Sequence, residues 1–197
     1  SPSSAASDVY KRQDPEGAKK LLEESGWTDT DGDGYVDKDG QKLSINWLTY
    51  PTRLEQPKLA EYAQATLKDI GIDVVVNNTS DHMTIAKNGD FDVYVSSTTT
   101  APTGDPEYFF TSTVTGAKNY GNYQNEEVTK LTDQLHQTFD KDERAKLAVE
   151  LQQDILDDDA FFFVSHLNMG IVTKSNVTGM AAHPCDYYEI TADLDVE

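Results

Sequence analysis

Cysteine is almost absent from this sequence of 197 residues. Cys185 is the only one, so an internal disulfide and a zinc site built from cysteines are both excluded. Long hydrophobic runs are missing too, and no apolar stretch approaches the ~18 residues that a transmembrane helix needs. No signal peptide is visible, and we expect any export signal to lie outside these residues.

Basic side chains are also few. The sequence holds 16 Lys and Arg residues against 35 Asp and Glu residues, which gives a formal net charge of −19. A field of this sign repels the phosphates of nucleic acids and the anionic headgroups of membranes. We therefore expect neither nucleic acid nor a membrane surface as a partner. A self-repelling globular protein, or one that collects cations, fits the charge better.

The motifs of common enzymes are missing as well. The sequence has no glycine-rich phosphate loop, no G-x-S-x-G turn and no H-E-x-x-H helix. The four histidines have no metal-ligand spacing, and His183 is of interest only because Asp186 and two tyrosines are near it in the sequence. We therefore expect a protein that is not an enzyme. A hydrolase is the alternative from another functional class.

What the sequence does contain is an unusual polar stretch between residues 91 and 123. Alternating apolar residues predict a strand over 91–95, and five hydroxyl side chains follow directly at 96–100. Asp105 is the predicted N-cap of a short helix because a proline follows it. Ligands of open α/β sheets bind outside the carboxyl ends of strands, so the stretch is a candidate binding cleft. A surface β–α connection rich in turn formers is the alternative.

An acidic loop has carboxylates at positions 1, 3, 5 and 9 of a calcium-binding loop. They belong to Asp29, Asp31, Asp33 and Asp37, and the carbonyl of Tyr35 is the ligand at position 7. Side-chain oxygens at alternate positions converge on one point, and Gly34 at position 6 permits the sharp turn. Gly40 stands at position 12, where a bidentate Glu is expected. The loop is predicted to hold a structural Ca²⁺, with a metal-free acidic turn as the alternative.

The first half of the chain has the pattern of a β-α-β unit. A helix is predicted from Asp14, its N-cap, to a glycine stop at Gly26. Strands are predicted over 43–48 and 72–76, with an amphipathic helix over 57–70 between them. The β-branched run of the second strand is typical of a strand that is buried on both faces.

Two further helices and a strand are predicted after residue 123. Asn125 caps the first helix, and Asp140 with Glu143 forms a capping box for the second. An apolar strand is predicted over 161–164. The apolar residues at helical spacing are Val128, Leu131, Leu135 and Phe139 in the first helix, and Leu147, Leu151 and Ile155 in the second.

Several segments together resemble one protein family. They read DPEGAKKLLEESGW, TDTDGDGYVDKDGQKLSINWLTYP, LAEYAQATLKDIGIDV, GDFDVYV, GDPEYFF, NYGNY and DERAKLAVELQQDIL. In this order, over about residues 14–190, they are similar to the C-terminal half of family 5 solute-binding proteins. Members of this family are extracytoplasmic receptors of ABC importers for peptides, nickel and metal chelates.

The resemblance implies an α/β fold, namely a periplasmic-binding-protein-like lobe of type II with a mixed β-sheet flanked by helices. Residues 1–13 lack periodicity and are left out of this fold as a disordered or artificial end, whereas 14–197 form the C-terminal lobe without its N-terminal partner lobe. The implied protein is a monomer that passes a small-molecule solute to an ABC transporter permease. It lies outside the cytoplasm, as a cell-surface lipoprotein or in the periplasm. The solute is nickel, as a chelate, or a peptide; a receptor for oligopeptides only is the alternative.

The resemblance also implies which side chains contact the solute. One departure concerns the loop where some nickel-binding members place a histidine, because here 115–119 contains Lys118 and no histidine. Direct coordination of nickel from this loop is therefore not expected, and His183 is the reserve candidate. The predicted contacts are Thr98, Thr99, Thr103, Asp105, Tyr108, Tyr120, Tyr123 and His183.

Overall fold

A computed structural model describes residues 14–166, 170–181 and 190–196. The chain divides into two compact units, Ser1–Ser96 and Ser97–Glu197. The N-terminal segment 1–13 and the predicted site residue His183 both lie outside the described residues. No helix in the described part is long and apolar enough to cross a membrane.

The first unit is built on a parallel three-stranded sheet. Its strands are Ser44–Thr49 (β3), Asp73–Asn78 (β4) and Val93–Tyr94 (β5), in the spatial order β4-β3-β5. A short antiparallel hairpin of Asp37–Lys38 (β1) and Gln41–Lys42 (β2) precedes it. The parallel pairing of β3 with β4 confirms the predicted β-α-β unit.

Among the described residues of the first unit, the helices are Pro15–Glu24 (α1), Glu55–Lys68 (α2) and His82–Asn88 (α3). The predicted cap of α1 is confirmed, since Asp14 Oδ1 accepts a hydrogen bond of 2.8 Å from the backbone N–H of Gly17. Helix α2 packs on β3 and β4 and buries Ala60. The first unit therefore has its core between helix and sheet.

The prediction that β4 is buried on both faces is wrong. Val74 is 2% exposed, but its neighbour Val75 is 48% exposed. Successive side chains of a strand point to opposite faces, so the face with Val74 is covered and the face with Val75 is open to solvent. A β-branched run thus marks a strand without showing that both of its faces are covered.

The second unit has a helical core. Helix Glu107–Phe109 (α4) continues as a π-helical turn over Phe110–Val114, and the longer helices are Glu126–Gln137 (α5) and Lys141–Asp157 (α6). Strands Val177–Thr178 (β6) and Asp195–Val196 (β7) pair in antiparallel fashion. The buried core residues are Phe109, Phe110, Val114, Val128, Leu131, Leu135, Leu147, Ala148, Leu151 and Ile155.

The predicted caps of α5 and α6 are confirmed. Asn125 Oδ1 accepts from the backbone N–H groups of Glu127 and Val128, and Asp140 Oδ1 accepts from those of Asp142 and Glu143. The prediction that Phe139 belongs to the apolar stripe of α5 is wrong, because the helix ends at Gln137 and the Phe139 side chain is 93% exposed.

The predicted strand over 161–164 is also wrong. Phe161 packs against the core, whereas Phe162 is 71% exposed and Val164 is 46% exposed. Among the described residues no strand pairs with this segment, so its backbone is not in a sheet. Aromatic packing holds it instead, since the Phe109 ring lies 5.8 Å from the rings of both Phe161 and Phe163.

Candidate functional site

The hydroxyl-rich run lies in irregular chain after β5. Strand β5 ends at Tyr94, one residue earlier than predicted, although the Val95 N–H still donates to the Leu48 carbonyl at 3.1 Å. Thr98 and Thr103 are exposed and Thr99 is half-buried. All three belong to the second unit, which begins at Ser97.

Asp105 is held by an arginine that the sequence did not suggest. Arg144 Nε donates to Asp105 Oδ2 at 3.0 Å and Arg144 Nη2 donates to Asp105 Oδ1 at 2.6 Å. Asp105 Oδ1 also accepts from the backbone N–H of Glu107 at 2.9 Å, so it makes the predicted capping bond although Pro106 separates it from α4. The Arg144 hydrogen bonds are the main reason that the pKa of Asp105 lies below its usual range.

Glu107 is bound by an arginine and a histidine. Its Oε2 accepts from Arg144 Nη2 at 2.8 Å, and its Oε1 lies 2.5 Å from His136 Nδ1. The bond to Arg144, followed by the bond to His136, lowers the pKa of Glu107. We call Arg144, Asp105, Glu107 and His136 the Arg144 cluster. Sequence reasoning missed it, and the available signal was that Arg144 is the only arginine between residues 97 and 197.

Tyr108 and Lys118 form a pair at the surface. Lys118 Nζ donates to the Tyr108 hydroxyl at 3.0 Å and lies 5.3 Å from the centroid of the Tyr108 ring. Tyr108 is 37% exposed, and Lys118 is exposed as well. Lys118, which lies in the loop 115–119 that contains no histidine, is thus directly beside Tyr108, a predicted contact residue.

Tyr123 has a structural environment. Its hydroxyl donates to Asp158 Oδ2 at 2.6 Å, and the same oxygen accepts from Asn125 Nδ2 at 2.7 Å. The Asn119 side chain bonds both the N–H and the carbonyl of Tyr123, at 2.9 and 2.8 Å. These bonds tie the loop to the end of α6. Tyr120 lies in the same loop and is half-buried.

A high-pH titration tests this environment. Burial, followed by the bond to Asp158, raises the pKa of Tyr123 to about 12. Because unfolded tyrosine ionises near pH 10, the stability that this phenol contributes is complete below pH 10 and is lost as the pH rises through about 12. In an ultraviolet titration we expect Tyr123→Phe to remove one late-ionising tyrosine, and Tyr62→Phe, a change at a 61% exposed position, to leave that phase intact. If Tyr123→Phe retains the late phase, the assignment is contradicted.

The carboxyl end of the sheet in the first unit carries polar groups that sequence reasoning missed. Thr49 is 0% exposed and Gln56 is 3% exposed. Thr49 Oγ1, Gln56 Oε1 and Glu55 Oε1 are buried and have no hydrogen-bond partner among the described residues. The signal for them was their position, at the end of β3 and at the start of α2.

Three aromatic side chains lie near the same strand ends. Tyr50 follows β3 and stacks on His82, with ring centroids 4.1 Å apart. His82 Nδ1 lies 2.8 Å from the hydroxyl of Tyr94, which is on β5. The stack fixes the start of α3 against both strands.

The acidic loop brings together three of its four predicted carboxylates. Single oxygens of Asp29, Asp31 and Asp37 lie within 4.8 Å of one another, as a shared cation requires. Asp33 instead pairs with Lys42 at 3.1 Å, and Lys42 Nζ also lies 4.1 Å from the centroid of the Tyr35 ring. Backbone N–H groups of Gly32 and Gly34 donate to the Asp29 carboxylate at 2.7 and 3.0 Å.

The parallel β-α-β arrangement, with helices on the sheet and polar groups at the strand ends, belongs to the class of type II periplasmic-binding-protein folds. The chain is a member of the bacterial extracellular solute-binding proteins, family 5, whose middle-region profile matches residues 1–121. This family is defined by solute binding and by an extracellular location.

Relatives of this chain include peptide-binding and nickel-binding proteins. The oligopeptide-binding protein AppA of Bacillus subtilis is 31% identical over 179 residues, which are 88% of this chain and 33% of AppA. The nickel-binding protein NikA of Staphylococcus aureus is 27% identical over 189 residues, which are 94% of this chain and 36% of NikA. The chain thus spans about a third of the length of these relatives.

Solved structures similar to this chain include a peptide-binding protein and nickel-transport proteins. AppA of B. subtilis in complex with a nonapeptide has a TM-score of 0.64 and 30% identity, covering 75% of this chain and 30% of AppA. A nickel ABC transporter protein of Bacillus halodurans has a TM-score of 0.65 and 33% identity, covering 75% of this chain and 31% of that protein. S. aureus NikA in complex with Ni(L-His)2 has a TM-score of 0.63 and 31% identity, covering 72% of this chain and 29% of NikA.

Proposed function

We propose that residues 14–197 are the C-terminal lobe of a two-lobe receptor that captures a small solute for an ABC importer. The solute is a nickel chelate or a peptide, bound between this lobe and an N-terminal one. The receptor acts as a monomer outside the cytoplasm, as a lipoprotein or in the periplasm, and delivers the solute to a permease. Family membership and the solutes of the relatives support the proposal.

The observation that carries the proposal is the grouping of solvent-accessible polar and aromatic side chains within residues 98–123, which we call the contact segment. Tyr108 and Lys118 are paired at the surface, and hydroxyls precede them in the chain. Residues proposed to touch the solute are Thr98, Thr99, Thr103, Tyr108 and Tyr120, with His183 in reserve.

Asp105 and Tyr123 have a different part in this proposal. The Asp105 carboxylate is engaged by Arg144 and the Tyr123 hydroxyl by Asp158, so these two side chains position the contact segment. An Asp105 that is bound in this way does not offer its charge to the amino terminus of a peptide. This favours a nickel chelate, and the likeness to AppA keeps a receptor for oligopeptides only as the second candidate.

Single substitutions in the two-lobe protein test the site. We expect Thr99→Ala, Tyr108→Ala and Tyr120→Ala each to weaken solute binding by about tenfold, which is about 1.4 kcal/mol. Their free energies of unfolding should change by less than about 1 kcal/mol, because partly exposed positions contribute little packing. Calorimetry with Ni²⁺ plus L-histidine, and separately with a nonapeptide, measures binding and distinguishes the two solutes.

Tyr62→Ala is the matched control, since Tyr62 is 61% exposed and lies in the first unit on α2. The solute affinity of the Tyr62→Ala variant should equal that of the unchanged protein. Unaltered affinity in all three test variants would place the solute site elsewhere.

We also propose that the acidic loop holds a structural Ca²⁺. Asp29, Asp31 and Asp37 are the proposed side-chain ligands, with the Tyr35 carbonyl as a fourth and Asp33 joining only if it leaves Lys42. An ion would neutralise neighbouring carboxylates and stabilise the connection from α1 to β1.

Calcium should therefore raise the melting temperature. A free calcium concentration of ten times the Kd stabilises the folded chain by about 1.4 kcal/mol. Asp29→Asn and Asp31→Asn should each abolish the rise, whereas Asp39→Asn, at an exposed position outside the three-carboxylate group, should retain it. A melting temperature that responds to neither calcium nor chelator would refute the site.

A further inference from the structure

We infer that Arg144 is an internal cation that sets the charge preference of the contact segment. It occupies the carboxylates of Asp105 and Glu107, so that the segment rejects bare divalent cations and ammonium groups and accepts solutes through their neutral or anionic groups. The inference rests on the proposed function and specifies which chemical class of solute the site takes.

The first argument is that Arg144 has no donor left for a solute. A guanidinium carries five N–H groups, and Arg144 makes five hydrogen bonds. Three go to Asp105 and Glu107, as described above, and Nη1 donates the other two to the carbonyls of Leu135 and Thr138 at 2.7 and 2.6 Å. Its side chain is only 15% exposed. Arg144 therefore acts through the carboxylates that it holds and is a positioning residue.

The second argument is that the carboxylate oxygens are all engaged. Asp105 Oδ1 and Oδ2 both accept from Arg144, Glu107 Oε2 accepts from Arg144, and Glu107 Oε1 pairs with His136. The lowered pKa values of Asp105 and Glu107 agree with ionised carboxylates that accept hydrogen bonds from a shared guanidinium. A cationic solute would compete for these oxygens with a bidentate guanidinium, which is a strong geometry for such a pair.

The third argument concerns charge. The contact segment contains three charged side chains, Asp105, Glu107 and Lys118, which leave one negative charge in excess. Arg144 cancels that excess. The formal charges of the segment and of Arg144 thereby sum to zero within a chain of net charge −19. The ammonium of Lys118 lies beside Tyr108, whereas the Asp105 carboxylate, whose side chain is 42% exposed, is paired with Arg144.

Removal of Arg144 should convert the Arg144 cluster into a cation site. Two carboxylates and an imidazole would remain, and these are ligands that Ni²⁺ accepts. In the 197-residue chain we expect the Arg144→Gln variant to bind Ni²⁺ alone near His136. Paramagnetic broadening of the His136 ring signals measures this binding. The broadening should appear at a Ni²⁺ concentration at least tenfold lower than in the unchanged chain.

Three further variants separate charge from packing. Arg144→Lys retains a cation, so its His136 signals should remain insensitive to Ni²⁺. The triple variant Arg144→Gln, Asp105→Asn, Glu107→Gln lacks the carboxylates and should lose the Ni²⁺ sensitivity that Arg144→Gln gains. Arg53→Gln, which removes an exposed arginine of the first unit, should behave as the unchanged chain. If Arg144→Gln does not fold, Arg144→Lys decides, since broadening at His136 in that variant would overturn the inference.

Equal Ni²⁺ responses of Arg144→Gln and the unchanged chain would likewise overturn it. Failure of the proposed function would look different, because it would appear as unaltered solute affinity in the Thr99, Tyr108 and Tyr120 variants of the two-lobe protein. The Ni²⁺ experiment requires no solute and no second lobe.

Discussion

Leu151→Ala is expected to lower the free energy of unfolding of the second unit by about 2–5 kcal/mol, the usual range for a buried leucine that is truncated. Leu151 is 0% exposed and lies on α6 in the core shared with α5. Truncation leaves a cavity because helices held by neighbouring side chains collapse only in part. Urea unfolding followed by circular dichroism measures the effect.

Val149 on the same helix provides the control. Its side chain is 62% exposed, so Val149→Ala should change the free energy of unfolding by less than about 0.5 kcal/mol. Equal losses in the two variants would show that the helix does not bury the face on which Leu151 lies.

The second large effect concerns solute affinity. We expect the 197-residue chain alone to bind its solute at least about 100-fold more weakly than the two-lobe protein, a difference of about 2.7 kcal/mol. In a hinged receptor the solute is buried between two lobes, so one lobe supplies only part of the contacts and none of the closure. Parallel calorimetric titrations of the two proteins with Ni²⁺ plus L-histidine and with a nonapeptide measure the ratio. Equal affinities would mean that this chain contains the whole site.

Helix ends were predictable from the sequence because their signals are local. Asp14, Asn125 and Asp140 each accept hydrogen bonds from backbone N–H groups two or three residues later. The information needed for such a cap lies within one helical turn. The β-α-β unit was predictable for a similar reason, since apolar periodicity changes visibly between β3, α2 and β4.

Features that depend on distant partners were not predictable. The run over 161–164 has strand composition, but composition does not specify whether a neighbouring strand pairs with it. Phe139 continues the spacing of α5 in the sequence, yet the helix ends two residues before it. Both predictions are wrong because the local pattern does not contain the surroundings that decide the structure.

The candidate site shows the same division. The sequence placed Thr99 and Tyr108 in one polar segment, but it did not indicate that Asp105 meets Arg144 across 39 residues of chain. The bond from Tyr123 to Asp158 spans 35 residues and is equally hidden. A residue's type suggests what it can bind, and only the fold shows whether another part of the chain has already bound it.

The unpaired edge of β4 has a consequence for the protein in solution. In the described sheet β4 has a neighbour on one side only, and it presents Val75 to solvent. Such an edge is a template for pairing with a second chain. Mutual repulsion between chains of net charge −19 opposes that encounter at neutral pH. Acidification removes the repulsion while leaving the edge unchanged, so colloidal stability should fall before the fold itself is lost.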